Sequence, residues 1–183
     1  MNKKILKQIA DGLNKLNCTW AIGGSVLLNH YNLVKKPNDI DILIDPNDTS
    51  KIKDFMDSIG TPVELPSKEP FRTKEFFGYI VDDTMIEFMG DFKIDIGDNN
   101  IYRFVLDKDA IVNKMFVDNT TVYLTSLEDW IVAYKVMNDP KKRVVLLKEY
   151  FVKEGIKHKH LLERNLLQDL PKDVKELIID LLN

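Results

Sequence analysis

The chain has 183 residues, of which 44% are hydrophobic and 30% charged, so it is long enough for one core or for one core with a helical appendage. Its formal net charge of −3 argues against a general DNA-binding protein, because such proteins normally carry a basic surface. A single cysteine, Cys18, excludes an internal disulfide and any cysteine-rich zinc site. The sequence contains neither an apolar run of the ~18 residues that span a membrane nor a signal peptide, so we expect a cytoplasmic protein.

Apolar periodicity divides the first two thirds of the chain into alternating helices and strands. Helical spacing, together with N-cap and stop residues, predicts three helices: about 3–17, 24–31 and 49–59. Alternation and flanking turn residues predict these strands: 19–22, 39–44, 76–81, 85–89, 93–96, 103–106, 111–116 and 121–124. The loop 35–38 and the proline-containing segment 64–74 are expected to be irregular.

From Ser126 onward the apolar spacing is that of helices alone. Ser126 is the predicted N-cap of the first of them, and Asp129 three residues later completes a pattern close to a capping box. The helices are predicted at these positions: 127–137, 141–153, 158–168 and 172–182. We therefore expect an α/β protein in which a short mixed sheet with packed helices, residues 1–125, is followed by a helical segment, residues 126–183.

Two short motifs carry the candidate chemistry. The first, Gly23-Gly24-Ser25, follows the first predicted strand and opens the second predicted helix. Glycines in such a turn let backbone N–H groups approach phosphate oxygens without a steric clash. The second motif places Asp39 and Asp41 at alternate positions of one strand, where both side chains point to the same face. Carboxylates are the hard oxygen ligands that Mg²⁺ prefers, so the pair indicates a site for metal-dependent nucleotide chemistry.

Each motif also has a purely structural interpretation. Two aspartates can belong to a solvated sheet face, although strands disfavour aspartate, and Gly-Gly-Ser can be no more than a tight turn. The turn lacks the residue spacing of a P-loop and of a dinucleotide-binding loop. A calcium-binding EF-hand loop is excluded, because counting from Asp39 the required glycine and glutamate are replaced by Ile44 and Ser50.

Glu87 is the one charged residue in the apolar strand predicted over 85–89. It can mark an exposed edge of the sheet, or it can complete a cluster of three carboxylates if its strand neighbours the strand of Asp39 and Asp41. Such a cluster can bind two Mg²⁺ ions, one on the attacking oxygen and one on the phosphates. The sequence therefore offers Asp39, Asp41 and Glu87 as candidate catalytic residues and metal ligands.

Taken together, Gly23-Gly24-Ser25, Asp39-Ile40-Asp41 and Glu87 resemble the DNA polymerase β-like nucleotidyltransferase superfamily. The likeness is to its small stand-alone members, which include minimal nucleotidyltransferases and antibiotic adenylyltransferases. Two further stretches, Ile86–Asp91 and Ser126–Lys135, are similar to the third-carboxylate strand and to the helix after the catalytic sheet in such proteins. The resemblance covers roughly residues 5 to 150 and implies a nucleotidyltransferase fold with its catalytic domain in residues 1–125.

The resemblance implies Mg²⁺-dependent transfer of a nucleoside monophosphate from an NTP, most simply ATP, to an acceptor hydroxyl, with release of pyrophosphate. The turn Gly23-Gly24-Ser25 would hold the β- and γ-phosphates. Asp39 and Asp41 would bind both metal ions, while Glu87 would ligate the catalytic metal and help to activate the acceptor hydroxyl.

Three lysines are candidates for contact with the phosphates. By the resemblance, Lys135 stands near the triphosphate, although it also fits the solvated side of an amphipathic helix. Lys35 and Lys36 precede the strand of Asp39 at the place where many relatives carry an arginine or a threonine. A phosphate contact by either lysine is therefore an expectation from position alone.

The acceptor cannot be read from these residues. It can be a small molecule resembling an aminoglycoside or a lincosamide, a protein side chain, or an RNA end, although the acidic charge balance disfavours the last. The rival interpretation is a nucleotide-binding module without turnover, for example half of a toxin–antitoxin pair or of another regulatory pair. The intact set of three carboxylates speaks against a loss of catalysis, and a protein partner or a homodimer stays open for either function.

Overall fold

The computed structural model describes residues 2–37, 39–66 and 69–183. Asn38, Ser67 and Lys68, which fall in the two segments predicted to be irregular, lie outside the described residues. The helices are α1 Lys3–Lys15, α2 Gly24–His30, a 3-10 helix Pro46–Asp48, α3 Thr49–Asp57, α4 Leu127–Val136, α5 Arg143–Glu154, α6 Lys159–Leu166 and α7 Lys172–Leu182. Within the ranges described, no helix combines the length and the apolar character needed to cross a membrane. The strands are β1 Trp20–Ile22, β2 Ile40–Ile44, β3 Thr61–Val63, β4 Glu75–Val81, β5 Thr84–Gly90, β6 Lys93–Gly97, β7 Asn100–Arg103, β8 Ile111–Val117 and β9 Thr120–Thr125.

A mixed sheet of seven strands forms the centre of the molecule, in the order β3-β4-β5-β2-β1-β9-β8. β2 runs parallel to β5 and β1 runs parallel to β9, whereas the other neighbours are antiparallel. β6 and β7 form a separate two-stranded sheet. The predicted mixed α/β fold is confirmed. The strand of Glu87 was required to neighbour the strand of Asp41 for the two side chains to share a site, and β5 does lie directly beside β2.

The two faces of the sheet differ in character where β2 and β5 meet. Ile42 of β2 and Ile86 and Phe88 of β5 are completely buried in the hydrophobic core. Asp41 and Glu87 alternate with these residues along the strands, so they belong to the opposite face, where both are half-buried. The isoleucine-rich face of β2 and β5 thus packs into the core, and the opposite face of the same strands carries the carboxylates.

The first turn of α4 attaches the carboxyl-terminal helices. Ser126 is the N-cap, as predicted: its Oγ accepts the backbone N–H of Asp129 at 2.9 Å and donates to the Asp129 carboxylate at 2.8 Å. Asp129 is 2% exposed and also accepts hydrogen bonds from Asn165 Nδ2 at 2.7 Å and Arg164 Nη2 at 3.2 Å. Burial raises the pKa of Asp129, and the Arg164 charge and these hydrogen bonds counteract the rise. Helix α6 is therefore tied to α4 through a buried, paired carboxylate, while the division into domains at residue 125 stays a prediction.

Two strand boundaries differ from the prediction. β2 begins at Ile40, so Asp39 lies just before the strand rather than within it. The strand predicted over 103–106 is wrong in position, since β7 spans Asn100–Arg103. The two residues before it, 98 and 99, adopt the left-handed conformation of a tight hairpin turn, and this turn brings Asn100 opposite Gly97.

β3 was not predicted as a strand. Its residues Thr61–Val63 fall where the sequence indicates only the end of a helix, because Gly60 and Pro62 normally interrupt regular structure. β3 lies at the edge of the sheet, and a proline is tolerated there since no further strand needs its missing N–H group.

Candidate active site

The turn between β1 and α2 can only be built from glycine. Gly24 has a φ of +52°, and a Cβ atom at this position would lie 1.8 Å from Oδ2 of Asp41. A Cβ atom at Gly23 would lie 2.2 Å from Cζ2 of the Trp130 indole. The two glycines therefore let a carboxylate and an aromatic ring approach the backbone closely, so the turn and Asp41 form one site.

Two of the three predicted carboxylates, Asp41 and Glu87, lie side by side next to this turn, and the third, Asp39, contacts Ser25 of the turn. Asp41 and Glu87 are register partners on the parallel strands β2 and β5, and their side chains share a face. Ser25 Oγ donates a hydrogen bond to Oδ1 of Asp39 at 3.2 Å, and its distance to the Asp39 carbonyl oxygen is 3.3 Å. The backbone N–H of Gly23 donates to the Asp41 carbonyl oxygen at 3.0 Å, which fixes the turn to β2.

Burial and mutual repulsion both raise the pKa values of Asp41 and Glu87. Burial, followed by the negative charges of Asp39 and Glu87, raises the pKa of Asp41 to about 7. The hydrogen bond from the Ser25 backbone and the charge of Arg143 only partly offset this rise. Burial and the charge of Asp39 also raise the pKa of Glu87. The protein thus leaves negative charge poorly compensated at this place, which is the environment that a divalent cation stabilises.

The side-chain oxygens of Asp39, Asp41 and Glu87 are suitable ligands for Mg²⁺, since Mg²⁺ prefers carboxylate oxygens. However, in residues 2–37, 39–66 and 69–183 no three His, Cys, Asp or Glu side chains are grouped closely enough to hold one ion. The structure therefore brings Asp41 and Glu87 side by side and places Asp39 next to Ser25, while the three-ligand Mg²⁺ site stays a prediction.

A cavity of about 480 Å³ opens above these carboxylates. Gly24, Asp41 and Glu87 are part of its lining. The remainder of the described lining is mostly apolar and aromatic, with two cations: Leu65, Pro66, Phe71, Thr73, Lys74, Phe76, Met89, Phe92, Trp130, Tyr134, Met137 and Arg143. The site is thus a concave, mostly apolar pocket with a few polar groups at one end, as small-molecule sites commonly are.

Arg143 and Tyr134 were missed as site residues. The guanidinium of Arg143, at the start of α5, lies 4.8 Å from the centre of the Tyr134 ring and 3.7 Å from the Asp139 carboxylate. Tyr134 is 1% exposed, and its hydroxyl has no hydrogen-bond partner in the described part of the chain. The basic run before α5 was the only signal for Arg143, and it resembles many solvated basic runs.

The lysines predicted to contact phosphate lie outside the cavity lining. Lys135 forms an ion pair with Asp173 of α7 at 2.5 Å between Nζ and Oδ2. Lys35 and Lys36 are exposed in the loop that follows α2. None of the three lines the cavity, so the cations found there are Lys74 and Arg143.

The comparisons with solved structures agree on one fold. TM1012 of Thermotoga maritima, assigned as a nucleotidyltransferase, is 23% identical with a TM-score of 0.60, over 82% of this chain and 92% of that one. ANT(2'')-Ia in complex with adenylyl-2''-tobramycin is 13% identical with a TM-score of 0.58, over 98% and 95% of the two chains. The lincosamide antibiotic adenylyltransferase LnuA with lincomycin bound is 12% identical with a TM-score of 0.50, over 99% and 96%. At these identities the likeness establishes the nucleotidyltransferase fold.

The sequence comparisons give the family. None of the curated proteins compared with this chain matches it. The model of the aminoglycoside-2''-adenylyltransferase family, in contrast, matches residues 5–150, which is most of the chain and includes Gly24, Asp41 and Glu87. The resemblance read from the sequence is confirmed: the chain belongs to the aminoglycoside-2''-adenylyltransferase family and is a nucleotidyltransferase.

Proposed function

We propose that the chain catalyses Mg²⁺-dependent transfer of a nucleoside monophosphate from ATP to an acceptor hydroxyl, with release of pyrophosphate. The observation that carries the proposal is the pairing of Asp41 with Glu87 directly beside Gly24. Two candidate metal ligands and a backbone turn suited to phosphate thereby lie at one cavity, and this supports metal-assisted phosphoryl chemistry.

The proposed transfer is a displacement at the α-phosphorus. The acceptor oxygen forms a bond to this phosphorus, its proton passes to Glu87, and the bond to the bridging oxygen breaks, so that pyrophosphate leaves with the electron pair. Asp39, Asp41 and Glu87 would hold the Mg²⁺ ions, which neutralise charge on the attacking oxygen and on the phosphates. The turn at Gly24 and Ser25 would orient the β- and γ-phosphates by backbone N–H contacts.

Arg143 of α5 and Tyr134 of α4 are proposed to contact the phosphates as well. Arg143 is a cation in the cavity lining, and its pairing with Asp139 at 3.7 Å leaves guanidinium N–H groups available. Tyr134 supports the same arrangement, since a buried hydroxyl without a partner costs about 1–3 kcal/mol and a phosphate oxygen would satisfy it. Contacts by Lys35, Lys36 and Lys135 stay predictions, and Lys135 would have to leave Asp173 to make one.

Two measurements test the proposal. Isothermal titration should show MgATP binding to the wild-type protein and not to Asp41→Asn, which keeps the shape of the side chain and removes its charge. Pyrophosphate release should then require both Mg²⁺ and an acceptor with a free hydroxyl.

The alternative of a nucleotide-binding module, alone or with a protein partner or in a homodimer, makes a different prediction. It requires MgATP to bind without pyrophosphate release across an acceptor panel of amino sugars, lincosamides, apolar phenols and RNA ends. Absence of MgATP binding to the wild-type protein would contradict both functions.

A further inference from the structure

A buried hydroxyl lies beside the Gly23-Gly24-Ser25 turn. The Thr125 side chain, at the end of β9, is completely buried, and its Oγ1 is 2.9 Å from the Ile22 carbonyl oxygen and 2.8 Å from Nε1 of Trp130. Ile22 is the last residue of β1 and directly precedes the turn. The hydroxyl therefore contacts both the strand that leads into the turn and the helix that packs against it.

The direction of these two hydrogen bonds is fixed by their partners. An indole N–H can only donate a hydrogen bond, and a carbonyl oxygen can only accept one. Thr125 Oγ1 must therefore accept from Trp130 and give its single proton to the Ile22 carbonyl. A side chain without a hydroxyl at position 125 would leave the buried indole N–H without the acceptor it has here and would take a donor away from the Ile22 carbonyl.

The indole that Thr125 holds is the one that lies against the turn. A Cβ atom at Gly23 would lie 2.2 Å from Cζ2 of Trp130 and 2.8 Å from its Nε1. The edge of the ring that faces Gly23 thus includes the nitrogen atom that donates to Thr125. Because the contact is this close, a tilt of the indole would either press on Gly23 or open a gap next to it, and the backbone of the turn would move in both cases.

From these contacts we propose that Thr125 is a positioning residue for nucleotide binding: through Ile22 and Trp130 it holds the turn in the shape that binds the β- and γ-phosphates. The inference rests on the proposed function, which gives the turn this role. Thr125 acts at a distance from the nucleotide, since its side chain is completely buried and is not part of the described cavity lining. The hydroxyl of Thr125, and not the volume of its side chain, is what nucleotide binding requires.

Two substitutions at residue 125 separate the hydroxyl from the shape of the side chain. Thr125→Val keeps the branched shape and removes both hydrogen bonds, whereas Thr125→Ser keeps the hydroxyl and removes a methyl group. Isothermal titration with MgATP should give a Kd raised at least about tenfold for Thr125→Val, which corresponds to about 1.4 kcal/mol. The Kd of Thr125→Ser should stay within about twofold of the wild type, because both hydrogen bonds can still form.

The two tryptophans of the chain give a direct readout of the indole position. An NMR spectrum of isotope-labelled indole N–H groups contains one resonance from Trp20 and one from Trp130. Thr125→Val should move the Trp130 resonance and leave that of Trp20 in place. In the wild type, MgATP should likewise move the Trp130 resonance and not that of Trp20, and this measurement does not depend on the folding of any variant.

The matched control is Asn14→Leu, because Asn14 makes the same pair of contacts to the other tryptophan. Its Oδ1 accepts a hydrogen bond from Trp20 Nε1 at 3.1 Å, and its Nδ2 donates to the Thr121 carbonyl oxygen at 2.9 Å. Neither Asn14 nor Trp20 is part of the described cavity lining. Asn14→Leu should therefore lower thermal stability and move the Trp20 resonance without changing the Kd of MgATP.

Four results would each overturn the inference: wild-type affinity in Thr125→Val, equal losses of affinity in Thr125→Val and Thr125→Ser, an equal loss in Asn14→Leu, or bound MgATP that leaves the Trp130 resonance unmoved. The proposed function would survive all four, because MgATP still binds to the wild type in each of them. Absence of MgATP binding to the wild type is the separate result that would overturn the proposed function and the inference together.

Discussion

Gly24 and Asp41 are in such close contact that a methyl group at residue 24 would lie 1.8 Å from the carboxylate oxygen of Asp41. Any other residue at position 24 would therefore displace either the Asp41 carboxylate or the turn. Either displacement separates the proposed phosphate contacts from the proposed metal ligands, so the position links local backbone geometry to catalysis.

The first prediction is that Gly24→Ala abolishes MgATP binding and lowers stability. The left-handed backbone costs roughly 1–2 kcal/mol for alanine, and the clash with Asp41 adds to this cost. Gly155→Ala is the control, since Gly155 has a φ of +75° with no atom within 4 Å of a built Cβ. With its ψ of 164° Gly155 lies in a region nearly restricted to glycine, so Gly155→Ala should cost about 1–3 kcal/mol in urea denaturation without any clash, and it should leave MgATP titration unchanged. Equal behaviour of the two variants would contradict a special role for Gly24.

The second prediction concerns pH and Asp41 in metal-free buffer. The pKa of Asp41 is raised in the folded protein to about 7 from an ordinary 3.8, so the folded state holds its proton more tightly. Its contribution to stability is therefore present at low pH and is lost as the pH rises from about 4 to about 7. Asp41→Asn should remove this loss and be more stable than the wild type at about pH 8 with a chelator present.

Thermal denaturation at about pH 5 and about pH 8 measures this effect. Added Mg²⁺ should raise the melting temperature of the wild type at the higher pH and leave that of Asp41→Asn unchanged. A wild type whose melting temperature does not respond to Mg²⁺ would remove the support for the metal assignment.

The third prediction uses the buried hydroxyl of Tyr134. Tyr134→Phe should leave the stability of the free protein unchanged or slightly higher, because it removes an unpaired polar group. It should weaken MgATP binding by about 1 kcal/mol, the worth of a typical hydrogen bond. Tyr102→Phe is the matched control: Tyr102 is also buried with an unpartnered hydroxyl in the described structure, but it does not line the cavity. If Tyr102→Phe weakened binding as much, the phosphate contact of Tyr134 would be refuted.

The fourth prediction compares two cations. Arg143→Ala should weaken MgATP binding by about 1–3 kcal/mol, the range for a hydrogen bond to a charged group or an orphaned partner. Lys135→Ala should cost at most about 1 kcal/mol of stability, since its partner Asp173 is 63% exposed and the pair is screened by solvent. Titration of both variants with MgATP decides between them. Weaker binding by Lys135→Ala with no effect of Arg143→Ala would return the phosphate role to Lys135.

The candidate site shows which parts of a structure follow from local sequence. Strand alternation places Asp41 and Glu87 on one face of each strand, and this could be read directly from the sequence. That β2 and β5 are neighbours depends on long-range pairing, which alternation does not encode. In the same way, Gly23 reads as a turn residue, whereas the need for glycine there comes from Trp130, more than a hundred positions away.

The strand and the site residue that the sequence analysis missed also depend on long-range contacts. β3 exists because an antiparallel neighbour, β4, supplies its hydrogen bonds, and this support overrides the local preference of Pro62. Arg143 enters the cavity because α5 packs against α4, an arrangement that a basic run in the sequence does not specify. Tertiary contacts thus determine both the formation of β3 and the presence of Arg143 in the cavity.

Trp130 follows Asp129 in α4, and this adjacency extends the influence of the carboxyl-terminal helices to the glycine turn. The Trp130 indole lies directly against Gly23, and the Asp129 carboxylate accepts hydrogen bonds from Arg164 and Asn165. A chain cut after about residue 155 would remove Arg164 and Asn165 and leave Ser126 as the remaining side-chain partner of that carboxylate, so α4 should be destabilised. No described residue after Arg143 lines the cavity, yet helix α6 supports the Gly23-Gly24-Ser25 turn from a distance, through Asp129 and the neighbouring Trp130.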